Sequence, residues 1–133
     1  MRVERELMRG AGPVAVLKLL ADGPMYGYQL GEALARRSEG VLDMGQGTLY
    51  PMLYNLEAKG LVESFLQDGP SEEGGRERKY YKLTEKGKKK LATDMAQWSQ
   101  VAKAMTGLGV LGAEPARLAI AGLGAAQANG GAK

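Results

Sequence analysis

Apolar positions recur along this chain with two different periods, and each change of period marks a new element. Leu49, Leu53 and Leu56 fall at i, i+4 and i+7, on one face of a helix of about three turns that begins between Gln46 and Thr48. With Thr48 as N-cap, Pro51 lies in the first turn, where its missing N–H costs nothing; with a start near Gln46 it forfeits one internal bond. Gly60 ends this helix. Leu30, Ala33 and Leu34 give an earlier helix its inner face, opening at Met25-Tyr26-Gly27-Tyr28 and running to about Arg37, with Glu32 and Arg36 outward as an i, i+4 pair. Before it, Val14, Val16, Leu17, Leu19 and Leu20 are apolar on most sides and predict a short buried helix from Pro13 to Ala21. Gly10 and Gly12 separate that helix from the charged segment Arg2–Arg9, which is helical or frayed.

Beyond Gly60 the character changes to strand. Leu61–Gln67, with Val62 and Phe65, and Arg78–Leu83, with Tyr80 and Tyr81, flank a polar glycine-rich loop and predict a hairpin with a long tip. Thr84 suits the N-cap of a fourth helix, although Gly87 stands where a capping box needs Glu or Gln. Leu91, Met95, Trp98, Ala102 and Met105 then repeat at heptad spacing. So long an apolar seam exceeds what a small three-helix core covers, which points to self-association; packing within the chain is the alternative. From Gly107 to Lys133 the chain is rich in Gly and Ala and predicts a poorly ordered or weakly helical tail. The expected fold is mainly α with a β-hairpin wing: a winged helix–turn–helix over 1–83, a dimerisation helix over 84–106 and the tail over 107–133.

Composition narrows the chemistry. With neither Cys nor His in 133 residues, disulfides, thiolate or imidazole zinc sites and the usual general base are all absent. No catalytic constellation can be assembled, so an enzyme is not expected, nor a metal or cofactor. Gly107-Leu-Gly-Val-Leu-Gly112 has dinucleotide-loop spacing but follows a helix rather than a strand, and is set aside. No leader peptide or membrane-length apolar run is read, which suits a cytoplasmic protein. The net charge of +3 is uneven: residues 76–90 hold eight Lys or Arg against two Glu, and residues 1–75 hold seven basic against eleven acidic groups. A basic block on an acidic chain suits a polyanion at one surface; a solvated lysine-rich helix start is the plainer reading.

The helix from Gln46 to Ala58 carries the candidate chemistry. Opposite its leucines lie small, aromatic and amide residues, an arc able to approach a nucleic-acid groove closely. Gln46, Thr48, Tyr50, Tyr54 and Asn55 are the candidate reading residues: Gln pairs bidentately with adenine and Thr meets a thymine methyl. Tyr50 stands at the edge of the buried face and is equally readable as core. Lys59 suits a phosphate contact, as do Arg76, Arg78 and Lys79 on the wing. Of the two tyrosines opening the second helix, Tyr26 is taken as the phosphate contact and Tyr28 as the packed one. In a dimer, Trp98 and Met95 either pack at the interface or line a cavity for a flat apolar effector.

Met25-Tyr-Gly-Tyr-Gln-Leu30, Gly47-Thr-Leu-Tyr-Pro-Met-Leu-Tyr-Asn-Leu-Glu57, Lys59-Gly-Leu-Val-Glu63 and Gly75-Arg-Glu-Arg-Lys-Tyr-Tyr-Lys-Leu-Thr-Glu-Lys-Gly87 together resemble the PadR-like transcriptional regulators. The likeness runs unbroken from about Ala11 to Met105, and the single long helix after the wing resembles the family's short subgroup. It implies a dimeric DNA-binding regulator, usually a repressor of an inverted-repeat operator on double-stranded DNA, answering to small aromatic or lipophilic compounds. The tail after Gly107 departs from the family, and Gly45 and Gly47 put a residue-by-residue transfer of its contacts in doubt. The alternative from another class is a winged-helix protein-interaction module that binds no DNA.

Overall fold

The computed structural model describes residues 1–112, so the expected tail lies outside the described residues from residue 113 on. The first helix, α1 (Arg5–Leu20), is longer than the one expected from Pro13 and takes in most of the charged segment before it. Pro13 stands inside it, at the cost of one bond to the carbonyl of Arg9. Burial of Met8 anchors the upstream turns. Gly12 marks a contact rather than a break. A Cβ there would stand 2.6 Å from Cε of Met52, so the missing side chain lets α1 approach the methionine of a later helix.

A two-residue strand, β1 (Met25–Tyr26), precedes α2 (Gly27–Arg37). Two residues are too few to display a period, so the sequence reads them as helix. The side chain of Gln29 accepts the Tyr26 N–H at 3.1 Å and closes the start of α2. Among the described residues Glu32 makes no ion pair with Arg36. It accepts the Tyr28 hydroxyl at 2.9 Å instead, and Arg37 faces Asp22 at 3.7 Å.

The helix α3 (Gln46–Ala58) begins at the earlier of its two expected starts. The N–H groups of Thr48 and Leu49 bond the Gly45 carbonyl at 3.0 and 2.9 Å. Pro51 is therefore interior and forfeits its bond to Gly47. The hairpin β2 (Val62–Asp68) and β3 (Glu77–Leu83) pairs from Val62↔Leu83 to Asp68↔Glu77, and β1 joins the other edge of β3, giving the antiparallel order β1-β3-β2. A single 3-10 turn at Ser71–Glu73 and Gly74 and Gly75, both at positive φ, make up the wing tip. The last helix, α4 (Glu85–Leu108), follows directly. Met1–Met95 forms one compact unit, and the described residues from Ala96 to Gly112 belong to a second.

The predicted apolar faces meet in the core of the first unit. Leu49, Leu53 and Leu56 of α3 are buried, as are Leu30, Ala33 and Leu34 of α2, with Val16, Leu17 and Val62 fully enclosed beside them. Leu91 belongs to the same core, so the part of the α4 seam left for a partner starts at Met95 rather than at Leu91. Leu53 has no exposed surface. Leu53→Ala is expected to cost about 2–5 kcal/mol, read as a lowered urea midpoint with an unchanged slope.

Candidate nucleic-acid interface

At 100° per residue the exposed arc of α3 runs in the order Gln46, Tyr50, Tyr54, then Gly47 and Pro51, then Asn55, Thr48 and Lys59. All of these are exposed, Tyr50 at 40% and Tyr54 at 72%, while the leucines behind them are buried. The helix thus presents aromatic, amide and hydroxyl groups around two positions, Gly47 and Pro51, that carry little bulk. Nothing lies within 4 Å of a Cβ built on Gly47.

The arc has two flanks. On the wing side a cleft of about 960 Å³ brings Gln46 and Tyr50 together with Arg76, Arg78 and Lys79, and Tyr28 lines it too. On the other side a groove of about 530 Å³ between α1 and α3 takes in Thr48, Asn55 and Lys59. The candidates therefore do not form one cluster. Tyr54 lines neither depression and stands at the crest between them.

The burial of the two tyrosines at the start of α2 is the reverse of that expected. Tyr26 is only 4% exposed and packs edge-on against Tyr80 at 5.3 Å, with its hydroxyl bonded to the Glu73 carboxylate at the wing tip. Tyr28 is 55% exposed and faces the cleft. Tyr26, in register with Tyr80, lies on the face of the sheet opposite Met25 and Tyr81 and is covered there by Tyr80 and the wing tip, whereas Tyr28, two places on, has already entered the helix. The hydrogen bond to Glu73, with burial and the carboxylate's charge behind it, raises the Tyr26 pKa against the opposing pull of Arg78. The bond to Glu32 raises that of Tyr28. Both phenols stay protonated well above neutrality.

Arg78 is held along the hairpin rather than extended from it. Its guanidinium lies 5.2 Å from the centre of the Tyr26 ring, its Nε is enclosed without a partner, and Nη2 makes a long 3.5 Å contact with the Glu73 carbonyl. Gly69 leaves room for it, since a Cβ there would press on Arg78 Cγ at 2.9 Å. Arg76 and Lys79 are exposed. Glu32, Glu73 and Glu77 line the same cleft, so its three cations face three carboxylates.

The helix α3 is fixed at both ends. At its start the Tyr50 ring lies over Gly27, where a Cβ would come 2.6 Å from Tyr50 Cε1. At its end three successive carbonyls accept bonds from the start of α4. Lys59 takes the Lys86 ammonium at 2.8 Å, Gly60 the Thr84 hydroxyl at 2.6 Å and Leu61 the Thr84 N–H at 3.1 Å. The Lys86 charge also favours the negative end of the α3 dipole. The Thr84 hydroxyl caps α4 in turn, accepting the Gly87 N–H at 2.9 Å. A capping box is excluded because any Cβ at position 87 would collide with the Leu61 carbonyl oxygen.

Residues 16–93, from the buried half of α1 through the first turns of α4, match the description "Transcriptional regulator PadR-like family". The chain belongs to the PadR-like family of transcriptional regulators. It is 33% identical over 105 residues to a transcriptional regulator of Mycobacterium tuberculosis, an overlap of 77% of this chain and 90% of the relative. Among solved structures it is similar to a PadR family transcriptional regulator from Eggerthella lenta, with TM-score 0.65 and 35% identity over 77% of this chain and 85% of that one. It is also similar to a PadR-like transcriptional regulator from Bacillus cereus, with TM-score 0.69 and 25% identity over 77% and 95% of the two chains. A PadR-like regulator acts on DNA and not as an enzyme. No helix among the described residues is long and apolar enough to cross a membrane.

Proposed function

We propose that this PadR-like regulator is a cytoplasmic homodimeric repressor whose two α3 helices read successive major grooves of an inverted-repeat operator. The observation that carries the reading is the exposed α3 arc, in which groups that pair with base edges sit beside positions of small bulk. In this reading Gln46, Thr48, Tyr50, Tyr54 and Asn55 face bases, and Arg76 and Lys79 hold phosphate. Arg78 acts chiefly by stacking on Tyr26 and holding the wing tip, and Tyr28 replaces Tyr26 as the tyrosine presented to DNA.

The pairing element is the α4 seam. Trp98 at 44% exposure stands with Met95, Ala102 and Met105 on an apolar stripe, and among the described residues α4 buries only Gly87 and Leu91. Two stripes of this kind bury each other. A flat aromatic or lipophilic effector entering beside Trp98 and Met95 alters the seam and, through the Thr84–Gly87 joint, the separation of the α3 helices. Trp98 is the sole tryptophan, so its fluorescence reports such an event directly. Titration with flat apolar compounds is expected to change that signal and weaken operator binding together; a panel that moves neither removes the effector from this account.

Salt separates DNA reading from a protein-interaction role. Counterion release makes the affinity of a duplex binder fall steeply between roughly 50 and 200 mM salt. Lys79→Ala and Arg76→Ala are each expected to shallow the slope by about 0.9. A flat salt response in the unaltered protein would favour the interaction module. With no His or Cys side chain to titrate, affinity is also expected to stay level from about pH 6 to 8, and a sigmoidal change across that range in an electrophoretic titration would contradict this.

A further inference from the structure

We infer that each subunit holds a second phosphate anchor on α1, where Arg5 and Arg9 flank the reading helix on the side away from the wing. The inference rests on the DNA-binding reading above and assigns a second side from which the duplex backbone is held. Three observations carry it.

The first is charge. The groove between α1 and α3 is lined by Arg5, Arg9 and Lys59 and by no carboxylate, whereas the wing cleft sets three glutamates against its three cations. Equal numbers of opposite charges give a weak net field at the distance of an approaching duplex; three like charges give a strong one. The second is position. Arg5 and Arg9 are one turn apart on a single face of α1, about 6 Å along its axis. The Gly12–Met52 contact fixes that face against α3. The same groove contains Thr48 and Asn55, so a backbone strand held by the arginines would leave those two side chains at the groove edge. The third is availability. The one ion pair of Arg9 among the described residues is with Glu6 at 3.8 Å, an i, i+3 contact between two largely exposed side chains, and such pairs yield readily to a phosphate. Arg5 makes none among the described residues.

The test is the salt dependence of binding by the full chain to a fluorescent mixed-sequence duplex of about four helical turns. Arg5→Gln with Arg9→Gln is expected to shallow the slope of log affinity against log salt by about 1.8, in addition to what the wing substitutions remove. Lys18→Gln removes a charge from the same helix outside the groove and is expected to leave the slope unchanged, which separates local contact from net charge. Because both arginines are exposed, the thermal midpoint of the double variant should match the parent. A double variant with the parental slope, beside wing variants that lower it, would overturn the α1 anchor and leave the DNA reading intact. An unaltered chain with no salt-dependent binding would overturn both.

Discussion

Gly87→Ala is expected to be among the most damaging single substitutions in this chain. The added methyl group would occupy the space of the Leu61 carbonyl oxygen, with the carbonyl carbon at 3.0 Å and Leu83 Cδ2 at 3.1 Å. The two Leu61 atoms are backbone and cannot turn aside as the end of a flexible side chain can. Either α4 shifts away or the Leu61 peptide moves, and both routes strain the Thr84 bonds to Gly60 and Leu61 and the Lys86 bond to Lys59. Overpacking against backbone costs about 1–3 kcal/mol, and each weakened bond about 1 kcal/mol, so a loss of roughly 3 kcal/mol or more is expected from the sum. Urea unfolding followed by circular dichroism measures it. Gly107→Ala is the control: it lies on the same helix, has no atom within 4 Å of the built Cβ, and should be neutral or mildly stabilising. If Gly87→Ala matched Gly107→Ala, the joint between α3 and α4 would not be as tight as described.

The second large effect concerns the seam. Trp98→Glu with Met105→Glu places like charges along the stripe by which two copies are proposed to meet, at positions exposed in the single chain, so folding of the Met1–Met95 unit should be spared. Sedimentation is expected to show a monomer. Affinity for a two-half-site operator should fall by about 10²–10⁴, because the second half-site no longer profits from the first. Binding to a single half-site should change little. A variant that stayed dimeric would move the interface to another face. One that became monomeric yet kept full operator affinity would remove the dimer from the reading mechanism.

What the sequence makes legible here is what depends on local pattern. The leucine spacing of α3, the threonine cap of α4 and the run of strand character after Gly60 all appear in the structure where the pattern puts them. What the sequence hides depends on a distant partner. Strand β1 exists only because β3 is beside it, and that pairing sets Tyr26 against Tyr80 and buries it, while Tyr28 falls in the helix and stays exposed. The continuity of α1 through Gly10, Gly12 and Pro13 follows from the burial of Met8 and the close approach of Met52, neither visible from neighbouring residues. The candidate site divides in the same way. The α3 arc follows from 100° per residue. The partition of its residues between a neutral cleft and a cationic groove follows from which face of α1 is turned toward it.

Protection mapping on the DNA upstream of the protein's own gene tests the central claim most directly. The account predicts two protected half-sites related as an inverted repeat, their centres about one helical turn or roughly 34–36 Å apart, with protection lost in the Trp98→Glu, Met105→Glu variant. Uniform or absent protection, or a single protected half-site that survives in the variant, would contradict it.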